Sequence, residues 1–346
     1  MEKNIAQEIK EYLKIVKDLD SNKSIEETGT LKDLIIDDKI ITIILYISKQ
    51  ESLYKKIIKN IESTLKEKLN KYKVNIILTS ENIKTSNNSE KNSENILPQN
   101  IKHVIAVASG KGGVGKSTIT TNIAYTLANS NYKVAILDAD IYGPSQPKML
   151  GLENTKPTQN SNGKINALEN YGIKCMSIGF LIEPERPMIW RGPMIQSALQ
   201  QLIKDVDWGE LDFLIVDMPP GTGDVQLTMT QKVNLSGAII VSTPQDIALQ
   251  DAIKGINMFK KVNVPVIGLI ENMSYYICPV SKEKSYPFGN GGAEKTAQDL
   301  NMPFLGKIPL DANIRENSDQ GNPDKNNSSE YFIEISNKIT EYIFNN

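Results

Sequence analysis

The stretch Ser109-Gly110-Lys111-Gly112-Gly113-Val114-Gly115-Lys116-Ser117-Thr118 decides the fold. It fits the phosphate-binding pattern G-x-x-x-x-G-K-[ST], with Gly110, Gly115, Lys116 and Ser117 at the fixed positions. Before it, His103 to Ala108 is an apolar, β-branched run that reads as a buried strand. After it, Ile119, Ile123, Ala124 and Leu127 recur at helical spacing. Strand, glycine loop and helix are the setting the pattern requires. The glycines let successive backbone N–H groups converge on phosphate oxygens, and the helix N-terminus adds its partial positive charge. In such a loop Lys116 supplies a point charge to the β- and γ-phosphates, and Ser117 a hydroxyl to Mg²⁺.

Downstream, strands alternate with helices. Lys133–Leu137, Gly172–Ile178, Phe213–Val216, Gly237–Val241 and Val264–Ile270 are short apolar runs without clean alternation, as in a parallel sheet buried on both faces. Helical stretches lie near 194–204, 225–232, 247–261 and 292–300, and a last helix over 329–344 carries Phe332, Ile335, Ile339 and Ile343 on one face. The expected fold class is α/β, a doubly wound, mostly parallel sheet over 101–346 with ligands at the carboxyl ends of its strands. Upstream, residues 1–83 read as a small α+β domain of order α-β-β-α-β, with strands over 31–36, 40–47 and 72–78. Ile5, Ile9, Leu13 and Val16 mark its first helix, and Leu53, Ile57, Ile61, Leu65 and Leu69 its second. The polar stretch 84–100 reads as a flexible linker.

Two further stretches sit at strand ends. Asp138-Ala139-Asp140 offers two carboxylates that could orient Mg²⁺-bound water and the attacking water. Asp217, after four apolar residues, stands where a second Mg²⁺-side carboxylate should lie, and Pro219-Pro220-Gly221-Thr222-Gly223 follows like a switch loop. Lys111 directly follows Gly110. With Lys116 on the near side, it could reach a nucleotide bound by a facing subunit, as an arginine finger does; read alone it is by default a solvated surface lysine.

Composition narrows the class. The 346 residues carry a formal charge of −2, which gives no global field toward nucleic acid or an anionic membrane. The last helix lacks the Lys/Arg-rich face of a membrane-surface helix, so neither nucleic acid nor membrane is an expected partner. Two cysteines exclude a disulfide framework, and together with an N-terminus lacking a signal-peptide core they suit a cytoplasmic protein. One histidine excludes His-based triads and multi-His zinc sites.

Lys-Gly-Gly-Val-Gly-Lys-Ser-Thr at 111–118 resembles the deviant P-loop of the MinD/ParA/nitrogenase-iron-protein superfamily. Within it, 138–145, 190–194, 217–224, 242–246 and 271–275 resemble the Mrp/ApbC family of iron–sulfur cluster carrier P-loop ATPases, over about 98–320. Residues 4–80 resemble, by pattern, the MIP18-like domain often fused in front. The resemblance implies a homodimer that binds and hydrolyses ATP with Mg²⁺ and passes a cluster to apo iron–sulfur client proteins. It implies that Lys111 contacts the partner's nucleotide, that Asp140 orients water and that Asp217 is the Walker B carboxylate. The nucleotide would lie on Gly110, Lys111, Gly112, Gly113, Val114, Gly115, Lys116, Ser117 and Thr118, with Ser117 and Asp217 on the metal side. Asn272 and the Pro309-Leu310-Asp311 turn match the adenine side, although Asn272 read alone is equally a strand-end turn residue.

One feature departs from the family. A Cys-x-x-Cys is typical after the Asn-Met-Ser stretch, so that two subunits supply four thiolates to one cluster. Here Cys278-Pro279-Val280-Ser281 keeps the first cysteine and replaces the second by serine, a poor ligand for soft iron sites. Cys278 remains the candidate metal ligand, the cluster type stays open, and Cys175 reads as a core residue. The competing reading is a MinD- or ParA-type positioning ATPase that acts on membrane or DNA. A small-molecule kinase is a third, disfavoured by the missing lid.

Overall fold

Strand β1, Ile101–Ser109, runs inside an eight-stranded sheet with three strands on one side and four on the other. In this computed structural model the described residues are 100–181, 192–326 and 330–345, with 9, 12–14, 16–17, 23–25, 27–28, 30–37, 40–46, 57–61, 65 and 73–79. The remaining strands of the sheet are β2 Val134–Asp138, β3 Leu168–Asn170, β4 Ile173–Ser177, β5 Leu211–Asp217, β6 Gly237–Ser242, β7 Val266–Glu271 and β8 Phe304–Lys307. Their order is β8-β7-β6-β1-β5-β2-β4-β3, parallel throughout except where β3 pairs with β4.

Every residue of β2 and β6 is buried. Neighbouring residues of a strand point to opposite faces, so both faces of the sheet are covered. The cover is helical: α1 Lys116–Asn129, α2 Gln146–Met149, α3 Gly192–Lys204, α4 Asp224–Lys232, α5 Asp246–Lys261, α6 Gly292–Asp299, α7 Ala312–Asp319 and α8 Glu330–Asn345. α1 packs with α8, α3 with α4 and α5 with α6. The doubly wound, mostly parallel α/β sheet expected from the apolar runs is the one formed. β3, α2 and α7 have no counterpart in the sequence reading. Trp190 and Arg191 lie outside the described residues, as does the expected linker up to residue 99.

The chain divides into two compact units, Met1–Lys91 and Asn92–Asn346. In the first, Leu31–Asp37 and Ile40–Tyr46 pair antiparallel through the register Asp37↔Ile40, and Ile40–Tyr46 pairs parallel with Lys73–Thr79. A parallel return needs a crossover, and the helical residues 57–61 lie on it. Ile41, Ile43 and Leu45 alternate onto one sheet face and share a core with Ile9, Leu13, Val16, Ile57, Ile61 and Leu65. Ile5, Leu53 and Leu69 lie outside the described residues.

Candidate functional site

The loop between β1 and α1 is shaped by two close approaches. A Cβ at Gly110 would overlap the backbone of Asp251 in α5, so only glycine fits there. Gly115 has φ +82°, and a Cβ on it would overlap the Asn272 amide. That amide donates to the Val114 carbonyl at 2.8 Å, and Ser109 Oγ donates to the Lys111 carbonyl at 2.9 Å. With those carbonyls tied back, the loop's N–H groups are left to converge on an anion. Gly112 and Gly113 face open space, and no side chain caps the first turn of α1. An uncapped helix start beside a glycine loop is a fitting cradle for phosphate.

Lys116, at the start of α1, turns into the sheet end. Its ammonium pairs with Asp217 Oδ1, lies 3.8 Å from Asp140 Oδ2 and meets Ser117 Oγ at 3.4 Å. Asp217 ends β5 and is fully buried; it also accepts from Thr120 Oγ1 at 3.4 Å and Gln146 Nε2 at 2.8 Å. Asp140 sits just past β2, where burial raises its carboxyl, Lys116 opposes that shift and Asp217 adds to it. Of the two carboxylates read as candidates to orient water, Asp138 does not stand beside Lys116 as Asp140 does. Asp138 is instead fully buried, accepting from the backbone N–H groups of Asp140 at 3.2 Å, Ser145 at 3.1 Å and Gln146 at 3.2 Å, and from Ser177 Oγ at 3.0 Å. Burial first, and then the Asp217 charge, push its carboxyl up to about 7. It organises the 138–146 turn and leaves Asp140 to face the loop.

Lys111 is half-buried and has no ion pair among the described residues. Asn272 and the 309–311 turn are neighbours, since Ser274 N–H donates to the Ile308 carbonyl at 2.9 Å and Leu310 N–H to the Tyr275 carbonyl at 2.7 Å. Pro309 is buried, and Asp311 caps α7 by accepting from Asn313 N–H at 2.8 Å. Cys278 lies at the end of a small antiparallel hairpin, Tyr276–Ile277 with Lys284–Ser285. Its N–H donates to the Glu283 carbonyl at 3.0 Å and its carbonyl accepts from Lys282 N–H at 2.9 Å. The Ser281 hydroxyl, then the backbone N–H groups of Ser281 and Val280, hold its thiol below the ordinary value. Among the described residues, no group of three or more His, Cys, Asp or Glu side chains could hold a metal within one chain. Cys175 is buried in β4, and burial raises its thiol. Sequence reasoning missed Gln146, Thr120 and Thr121, whose polar atoms acquire a role only when α1, α2 and β5 meet.

A family model described as ParA: NUBPL iron-transfer P-loop NTPase matches residues 100–344. The chain belongs to this family. The resemblance carried by 111–118, 138–145 and 217–224 is thereby borne out, and the chain is a P-loop ATPase by membership. A relative from Dictyostelium discoideum named iron-sulfur cluster transfer protein NUBPL is 55% identical over 65% of this chain and 70% of its own. One from Synechocystis sp. named iron-sulfur cluster carrier protein is 42% identical over 90% of this chain and 88% of its own, an alignment that extends into the N-terminal unit. A nucleotide-binding protein from Archaeoglobus fulgidus, solved in complex with ADP, is 38% identical with a TM-score of 0.62, over 70% of this chain and 96% of that one. Among the described residues, no helix is long and apolar enough to cross a membrane.

Proposed function

We propose that this chain is an ATP-switched iron–sulfur cluster carrier that acts as a homodimer and passes its cluster to apo client proteins. The observation that carries the reading is that the P-loop, the Lys116–Asp217 pair and the Cys278 hairpin all follow carboxyl ends of strands in one sheet. Exposed Tyr142, Ile247, Tyr276, Ile277, Val280 and Leu310 follow the ends of β2, β6, β7 and β8. An apolar rim around a nucleotide loop suits a second copy of the chain. Lys111, unpaired among the described residues, is the residue we assign to the partner's nucleotide.

In this reading the loop from Gly110 to Thr118 and Lys116 hold the phosphates, Asn272, Pro309 and Asp311 form the adenine side, and Asp140 orients water. Ser117 and Asp217 are the residues that would hold Mg²⁺, which when bound neutralises charge on phosphate oxygens. The fit rests on charge: drawing Lys116 toward a phosphate leaves the buried Asp217 carboxylate in need of another cation. Cys278 anchors the cluster cargo, the MIP18-like N-terminal unit serves recognition or packing rather than chemistry, and the protein works in the cytoplasm.

The test is anaerobic reconstitution of wild type and Cys278→Ala with ferrous iron and sulfide, counting both per dimer. Iron in the wild type and its loss in the variant are expected. Equal, near-zero iron in both sinks the carrier reading.

A further inference from the structure

Gln146 is a fully buried amide at the first position of α2, directly after the 138–145 turn. Its Nε2 donates to Asp217 Oδ2 at 2.8 Å and to the Ser117 carbonyl at 3.2 Å, while its Oε1 lies 2.7 Å from Thr121 Oγ1. The opposite orientation of the amide would set Oε1 against two acceptors, the Asp217 carboxylate and the Ser117 carbonyl, so the orientation is fixed by chemistry. The backbone of the same residue is held by Asp138 Oδ2 at 3.2 Å. One side chain thus touches both residues read as the magnesium side and comes from the turn that carries Asp140.

We infer that Gln146 is a positioning residue for Asp217: it clamps Oδ2, turns Oδ1 toward Lys116 and the P-loop, and ties that orientation to the 138–146 turn. Oδ1 is met by Lys116 and Thr120, whereas among the described residues Gln146 is the donor on Oδ2. An apolar residue of similar length would leave that buried oxygen without a donor and the carboxylate free to rotate. Groups that orient a metal-binding carboxylate from behind are needed for its affinity. A shift of the 138–146 turn would move Asp140 and release the clamp together, so the turn that presents water also sets the metal-side carboxylate. This inference rests on the reading of Asp217 as a magnesium-side carboxylate.

The test measures Mn²⁺ binding by electron paramagnetic resonance to the full chain saturated with a nonhydrolysable ATP analogue, beside analogue affinity in chelator. Gln146→Met is expected to weaken Mn²⁺ roughly tenfold, the lower end for loss of an outer-shell partner, with analogue affinity in chelator unchanged. Unchanged Mn²⁺ affinity, or an equal fall in both affinities, overturns the inference. If Gln146→Met does not fold, Thr121→Val frees the oxygen end of the amide without touching Asp217. It is then expected to lower Mn²⁺ affinity alone by a smaller factor, and no loss overturns the inference. Asp217→Asn separates the two failures. If it leaves Mn²⁺ affinity intact, the reading of Asp217 falls; if it weakens Mn²⁺ while Gln146→Met does not, only the clamp falls.

Discussion

The Lys116 ammonium rests on Asp217 Oδ1 with side chains 6% and 0% exposed, so the P-loop lysine and the β5 carboxylate neutralise each other inside the sheet end. Such a pair is held by mutual attraction against a large desolvation cost, and removing one partner leaves an uncompensated buried charge.

Lys116→Met keeps an unbranched side chain one heavy atom shorter and removes the cation. It is expected to destabilise the fold by about 3–5 kcal/mol and to abolish the rise in melting temperature that ATP gives the wild type. Adding Asp217→Asn should recover part of the stability while leaving ATP without effect. Thermal melts with and without ATP decide it, and a single variant as stable as wild type contradicts the pairing.

The Asn272 amide is spent on the Val114 carbonyl at 2.8 Å, which makes it a clamp on the P-loop whatever it also does for a base. Asn272→Ala should therefore weaken ATP and GTP in parallel. A variant that loses ATP alone would show that base contact outweighs the clamp. Fluorescent-nucleotide titrations with both nucleotides distinguish the two.

Asp138 is pushed from an ordinary 3.8 up to about 7 by burial and by the neighbouring Asp217 charge. Its folded carboxyl therefore keeps a proton that the unfolded chain has already released. The native state binds more protons between about pH 4 and about pH 7, and this contribution to stability is lost as pH rises through that window. The melting temperature of the wild type, relative to that of Asp138→Asn, should fall from about pH 5 to about pH 8 and flatten above. Parallel pH profiles for the two proteins would place the titration elsewhere.

The residues behind these expectations differ in how far the sequence exposes them. Lys116 and Asp217 are legible because each is attached to a local pattern, a glycine loop and an apolar strand, that fixes where its side chain starts. The buried strands are legible for the same reason: a run such as Gly237–Ser242, buried at every residue, has no polar face to hide. Gln146 and Asp138 are not legible. A four-residue helix carries no periodicity, and a glutamine becomes a clamp only when α1 and β5 bring Thr121 and Asp217 to it. Strand β3 is three residues long and exists because β4 offers an edge to pair with. Nothing local separates Asp138 from Asp140; the turn that follows settles which carboxylate collects the N–H groups of Ser145 and Gln146.

Lys111 is half-buried and without an ion pair among the described residues, yet it stands in the glycine loop proposed to hold phosphate. If its partner is a nucleotide on the facing copy, Lys111→Ala should bind ATP as wild type does and lose turnover by at least about a thousandfold, the low end for a charge supplied in trans. Mixing it with Lys116→Met offers a second measurement. In a mixed dimer the Lys111→Ala subunit keeps its own Lys116 and binds ATP. The Lys116→Met subunit binds none but still presents Lys111 to the nucleotide of its partner. One complete site is thereby assembled, so the mixture should regain activity that neither variant has alone. Normal turnover in Lys111→Ala, or no recovery in the mixture, removes the trans role.

The Ser281 hydroxyl, then the backbone N–H groups of Ser281 and Val280, hold the Cys278 thiol below its ordinary value, and Ser281 stands where the family pattern has its second cysteine. In the proposed homodimer Cys278 would bring two thiolates to one cluster, and the remaining iron coordination would come from other ligands. Hydroxyl oxygen does little for soft iron, so Ser281 contributes to the thiolate rather than to the metal. Ser281→Cys would give the proposed dimer four thiolates, the complement of a closed four-cysteine site. Reconstituted anaerobically under reducing conditions, it should hold more iron and sulfide per dimer than the wild type and release it more slowly to a chelator. Its transfer to an apo client should slow in step, because a cluster held by four protein thiolates must exchange more of them to leave. If iron retention equals that of the wild type, the cluster does not sit on this hairpin.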